Sequence, residues 1–124
     1  MENGEDLKAA VKGLRLKAED GHAESMFLLG VAFAQGRGVE QNETAAARWF
    51  LQAARKGHVR AKTSVGYLYA TGRGVRQDAT LGYVFLAQAV RAGDSLAGDL
   101  LVKVRKSMSP IQLREAEKRL LESG

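Results

Sequence analysis

Apolar residues recur along this chain at intervals of three and four, the spacing of one face of an α-helix. One stripe runs through Ala61, Val65, Leu68 and Tyr69, and a second through Trp49, Phe50, Ala53 and Ala54. Each has a counterpart 36 residues away: Ser25, Leu29, Ala32 and Phe33 for the first, and Phe85, Leu86, Ala89 and Val90 for the second. No segment sustains the alternation of a half-buried strand, and the single proline stands near the C-terminal end at position 110. The pattern therefore predicts an all-α chain built from a repeated helix pair.

Glycines mark where those helices stop. Gly21, Gly57 and Gly93 share the 36-residue interval and each follows an alanine-containing stretch, the place of a left-handed helix-terminating residue. Gly36-Arg37-Gly38-Val39 and Gly72-Arg73-Gly74-Val75 lie midway between the stops and read as turns inside each unit. Each unit is thus a helix A, a glycine turn and a helix B. Helix A is expected near 22–35 and 58–71, and helix B near 43–56 and 79–92. Residues 5–20 align with a helix B whose helix A is missing. A third helix A is expected near 94–106, where Val102 replaces the internal glycine of Gly30 and Gly66 and no second Gly-x-Gly turn follows. Those two internal glycines cost helix propensity, so they predict close helix–helix approach. Ser109, Pro110 and Gln112 carry the signature of a capped helix start, and Leu113, Ala116, Leu120 and Leu121 give the last helix, to about Glu122, a sticky side. The expected organisation is one repeat domain over 1–124: a half repeat (1–20), repeats at 21–56 and 57–92, a degenerate helix A (93–107) and a capping helix (108–124). A period of this length marks a stacked-repeat architecture, which works by presenting a face.

Composition narrows the chemistry. The 124 residues include no cysteine and two histidines, so neither a disulfide nor a thiolate metal site is available, and no metal or cofactor is expected. The start is acidic without an apolar core, and no apolar run approaches a membrane span, which favours a cytoplasmic placement; a mature exported domain carries the same features. The net charge is +5, concentrated in residues 37–106, which hold twelve basic and five acidic side chains. A basic centre attracts an acidic protein face or a polyanion.

The candidate catalytic residues dissolve into the repeat. His22 and His58 are equivalent positions just after a glycine stop, which points to a helix-start role. Asn42 and Asp78 are equivalent N-cap candidates. The Gly-Arg-Gly turns lack the lysine, the serine or threonine and the preceding strand of a phosphate-binding loop. Trp49 is expected in the core.

The pattern Ala61-x3-Val65-Gly66-x2-Tyr69-x2-Gly72-x-Gly74-Val75, followed by an aromatic in helix B, an Ala-Val pair and Gly93, resembles the Sel-one-like repeat family, relatives of the tetratricopeptide repeats. The resemblance covers about residues 5–106. It implies a right-handed α/α superhelix of about three helix pairs with a C-terminal capping helix, acting as a non-enzymatic protein-interaction scaffold of the kind found in bacterial signalling, envelope and host-contact settings.

If helix A lines the concave side, the surface available to a partner follows from helical spacing. The first unit offers Glu24, Leu28, Val31 and Gln35, the second Arg60, Ser64, Tyr67 and Thr71, and the third Leu96, Leu100 and Lys103. Leu28, Val31, Tyr67 and Leu100 form an apolar strip edged by Arg60 and Lys103, which suits a protein or peptide partner with apolar anchors and acidic flanks. Two alternatives stand beside this reading: a dedicated regulator or immunity-type inhibitor of one partner protein, and polyanion or nucleic-acid binding through the basic centre, disfavoured by the scarcity of aromatics there. Self-association through the N-terminal half repeat is a further expectation.

Overall fold

The computed structural model describes residues 4–123, which form seven helices and no strand. These are α1 (Gly4–Glu19), α2 (Ala23–Gln35), α3 (Glu43–Arg55), α4 (Val59–Thr71), α5 (Ala79–Arg91), α6 (Ser95–Ser107) and α7 (Pro110–Glu122). Consecutive helices pack against each other from α1 through α6, so the chain is an α/α solenoid with α2/α3 and α4/α5 as its helix pairs.

Local chemistry sets the boundaries. At the end of α3, Gly57 N–H donates to Ala54 O at 2.9 Å and His58 N–H to Ala53 O at 3.1 Å, the paired bonds of a Schellman stop, and the same pattern closes α1 and α5 at Gly21 and Gly93. The next helix starts at once. His22 and His58 cap α2 and α4 through Nδ1, which accepts from Ser25 N–H and Ala61 N–H. Asn42 and Asp78 cap α3 and α5, each with Oδ1 3.0 Å from its donor. Ser109 and Gln112 close the capping box of α7 at 3.1 and 2.9 Å. The turn inside each pair is locked by a repeated glutamine: Gln41 and Gln77 each donate Nε2–H at 2.9 Å to a carbonyl in the last turn of helix A, Ala34 and Ala70.

The core lies between the helices. Within each pair, helix B presses a large side chain onto a glycine. A Cβ on Gly30 would lie 2.7 Å from the Phe50 ring, and one on Gly66 would lie 2.6 Å from Leu86 Cγ. Leu29 and Leu86 are fully buried, each worth about 2 kcal/mol of apolar transfer. Trp49 corrects the sequence expectation in degree: it is half-buried at the edge of the core, and Phe50 takes the buried place.

The third unit ends the stack by changing what helix A shows. Val102, Arg105 and Lys106 occupy the positions of Gly66, Tyr69 and Ala70, and all three are exposed. α7 does not cover them; it folds back onto α5, where Ala116, Leu113 and Leu120 pack with Tyr83, Val84 and Ala87. A glycine is needed only where helix B closes on helix A, so its loss at Val102 follows from the missing contact.

Two junctions hold successive units, and equivalent positions use different chemistry. Between α2 and α4, His58 stacks on Phe27 with ring centroids 4.7 Å apart. Because its Nδ1 accepts the cap bond, Nε2 carries the hydrogen and donates to Glu24 Oε2 at 2.5 Å. One unit on, Thr63 replaces Phe27 and Asp94 replaces His58. Thr63, 5% exposed, donates its hydroxyl to Asp94 Oδ2 at 2.5 Å while Asp94 Oδ1 caps α6. Thr63→Val keeps the shape and leaves that carboxylate oxygen without its donor, so it is expected to cost about 1–3 kcal/mol. Urea denaturation would read the loss; Ser64→Ala, whose hydroxyl only returns to its own helix, is the comparison and is expected to change stability by less than about 0.5 kcal/mol. Equal effects of the two would show that the junction does not depend on this bond.

Candidate functional site

α4 and α6 are the helices A of the second and third units, and both pack against α5. Side chains of α4 and α6, joined by residues of α3 in one case and by Leu86 of α5 in the other, border two open cavities. The larger, about 470 Å³, has Phe50, Ala46 and Leu68 as its floor and Thr63, Ser64, Tyr67, Leu96 and Leu100 around it. The smaller, about 210 Å³, lies further along α4 and α6 between Thr71, Lys103 and Val104. Tyr67 and Leu100 line both, so the two form one groove pinched at these side chains.

The groove is drier than its residue types suggest. Ser64 and Thr71 donate their hydroxyls to Arg60 O and Tyr67 O of α4 itself, at 3.1 and 2.8 Å. Charge enters at the rim of the larger cavity, where Arg73 of the glycine turn donates to Glu43 Oε1 at 2.9 Å. Glu43 first, and Tyr67 second, raise the Arg73 guanidinium above its ordinary value, so this charge is permanent. The Glu43 carboxylate sets where it points. An apolar trough of this size with a few polar groups at its edge accepts large apolar side chains.

Ser64, Tyr67, Thr71, Leu100 and Lys103 all line the groove, with Leu96 at one end. The first unit contributes none of its expected residues. Glu24 is held by His58, Val31 is half-buried against the core, and Leu28 and Gln35 are exposed away from both cavities. Arg60 lies with its guanidinium carbon 4.8 Å from the Phe27 ring centroid, outside the cavity walls. Phe50, Thr63, Glu43 and Arg73 escaped the sequence reading. Glu43 carried a signal, since Leu7 stands at the equivalent position, but pairing it with Arg73 requires knowing that the turn of one unit docks on helix B of the unit before. Among the described residues, no cluster of three or more His, Asp or Glu side chains could hold a metal ion, and no helix is long and apolar enough to cross a membrane.

The Sel1 repeat model matches residues 23–58 and 59–94. Among solved structures, an SLR-fold protective antigen of uropathogenic Escherichia coli superposes with a TM-score of 0.91 at 30% identity, over 98% of this chain and 26% of that one. A Sel1 repeat protein from Oxalobacter formigenes gives 0.73 at 28% identity, over 76% of this chain and 39% of the other. The cysteine-rich protein B of Helicobacter pylori, at 21% identity and a TM-score of 0.69 over 73% of this chain and 68% of its own, shares the fold. The chain thus spans about a quarter of the first of these structures and two fifths of the second. No curated protein matches it by sequence.

Proposed function

The chain belongs to the Sel1 repeat family, whose repeats generally serve as protein–protein interaction scaffolds, and on that premise we propose that it is a non-enzymatic scaffold whose α4–α6 groove binds a partner peptide or helix. The observation that carries this reading is the continuity of the groove: Tyr67 and Leu100 wall both cavities, so one partner segment can seat two apolar anchors at once. Tyr67 is 36% and Leu96 59% exposed, apolar surface that a partner would cover. Lys103 in the smaller cavity, and Arg60 at the start of the same α4 face, favour acidic residues beside those anchors.

Tyr67→Ala combined with Leu96→Glu tests the reading. Both positions are at least a third exposed, so thermal unfolding should stay close to that of the parent. Capture of a partner by the immobilised chain, quantified by mass spectrometry and then by titration with the purified partner, is expected to weaken by about 100-fold, as for two contact residues worth more than 1 kcal/mol each. Undiminished capture by a folded double variant would remove the groove as the binding site. A partner whose affinity collapses with salt but ignores this variant would instead point to the polyanion reading.

A further inference from the structure

The groove carries its charge unevenly. Among the side chains that line its two cavities, the charged ones are Glu43, Arg73 and Lys103. At the larger cavity Arg73 and Glu43 answer each other at 2.9 Å, so that rim is neutral. At the smaller one Lys103 stands alone. Among the described residues it makes no hydrogen bond or ion pair, and Asp99, one turn before it on α6, lines neither cavity. Thr71 and Ser107, equivalent positions on α4 and α6, each donate a hydroxyl at 2.8 Å within their own helix, to Tyr67 O and Val104 O. Lys103 is thus the charge left uncommitted in the groove. The 36-residue register puts it where the second unit has Tyr67 and the first has Val31, so a cation enters at a position that is otherwise aromatic or aliphatic.

An exposed ammonium against an apolar wall keeps its water while the groove is open. A partner that fills the smaller cavity strips that water away, and the cost is offset only where the partner brings a carboxylate. At the neutral larger cavity the same partner needs only bulk, since about 470 Å³ over Phe50 and Leu68 accepts an aromatic ring. The walls that α4 gives the two cavities are centred about four residues apart, roughly 6 Å along the helix. That distance separates residues i and i+2 of an extended segment, or i and i+4 of a helical one. We propose that Lys103 selects the partner: a peptide segment with an aromatic residue for the larger cavity and, two positions away if extended or four if helical, an aspartate or glutamate for Lys103. This selection rests on the groove being the binding site. Arg60 cannot make it, because its guanidinium lies over the Phe27 ring, outside the cavity walls.

Panning a phage library of random dodecapeptides against the immobilised full chain tests it. The parent is expected to enrich an aromatic residue with an acidic one at either of those spacings. Lys103→Glu should keep the aromatic and exchange the acid for lysine or arginine. A synthetic peptide from the parent's selection should bind this variant about tenfold more weakly, because one attraction becomes a repulsion. Arg55→Glu makes the same change of charge on α3, at an exposed position outside both cavities, and should leave the selected acid in place. Circular dichroism confirms that each variant is folded. A parent that enriches no such pair overturns the proposal. So does a Lys103→Glu variant that selects the parent's acid, or an Arg55→Glu variant that loses it. The protein carrying Tyr67→Ala and Leu96→Glu keeps two failures apart. If it enriches the parent's sequences, the groove is not the site and the proposal falls with it. If it enriches none while Lys103→Glu matches the parent, the groove stands and Lys103 is not its selector.

Discussion

Gly74→Ala is expected to destabilise the protein by about 3 kcal/mol, through two separate terms. The first is backbone: φ is 74° at Gly74, and an L side chain in the left-handed region costs about 1–2 kcal/mol. The second is docking. The turn of the second unit sits directly on the first turn of α3, and a Cβ at Gly74 would collide with the carbonyl oxygen of Glu43 and stand 2.7 Å from its carbonyl carbon. That neighbour is helix backbone and cannot rotate aside, so the overlap adds about 1–3 kcal/mol of overpacking. Gly57→Ala separates the terms: its φ is 90°, yet no atom lies within 4 Å of the added Cβ, so only the backbone cost applies. For a chain of this size each kcal/mol moves Tm by about 3–5 °C, which puts Gly74→Ala about 10 °C below the parent and clearly below Gly57→Ala. Calorimetric melting of the three proteins gives the answer, and equal losses would show that the turn does not bear on α3. Because Glu43 also holds Arg73 at the groove rim, the same substitution should blunt partner binding.

What the sequence reveals of this architecture is the part made of local bonds. Gly21, Gly57 and Gly93 could be placed at helix ends, and His22, His58, Asn42 and Asp78 at helix starts, because a cap or a stop is completed within five residues and leaves the same mark in each unit. The close approach at Gly30 and Gly66 was legible for a related reason, since a repeated glycine inside a helix needs a packing cause. The contacts that join one unit to the next left no such mark. Phe27 stacks on His58 and Thr63 bonds Asp94 across 31 positions, and Arg73 reaches Glu43 across 30. Each pair differs from its equivalent in the neighbouring unit, so the repeat hides them.

The candidate groove shows the same division. Helical spacing gave the direction in which Ser64, Tyr67 and Thr71 point, and that direction follows from α4 alone. It could not give what stands across from them. Glu24 shares the spacing of Arg60 but is claimed by His58, and Val31 shares that of Tyr67 but settles against the core. Trp49 illustrates the limit from inside the core: it and Phe50 are adjacent in one apolar stripe, and periodicity does not decide which of two neighbours 100° apart faces inward. Val102 read from sequence as decay of the pattern; with no helix B against α6 at that point, it is the ordinary consequence of an uncovered surface.

Phe50→Ala and Gly30→Ala should be strongly non-additive, and the sign of the second should depend on the first. Phe50 is 6% exposed, its ring is 5.6 Å from that of Phe27, and it forms part of the groove floor. Removing it is expected to cost about 3–5 kcal/mol, the usual penalty for an aromatic deleted from a core. Gly30→Ala in the parent faces opposed terms. It gains about 1 kcal/mol of helix propensity, and it loses about 1–3 kcal/mol because the new Cβ stands 2.7 Å from two atoms of the Phe50 ring. The ring has little room to retreat, being held by Phe27 and the rest of the core, so the net effect is destabilising by about 1 kcal/mol. In the Phe50→Ala background the three nearest atoms to the new methyl, all from the Phe50 ring, are gone. Only the propensity gain is left, and Gly30→Ala should then stabilise by up to about 1 kcal/mol. The coupling energy is therefore about 2 kcal/mol, well above the few tenths seen between independent sites. A double-mutant cycle in urea measures it. If the two changes add within about 0.5 kcal/mol, the glycine inside helix A is not there to admit the helix B aromatic, and the repeat's internal glycine needs another cause.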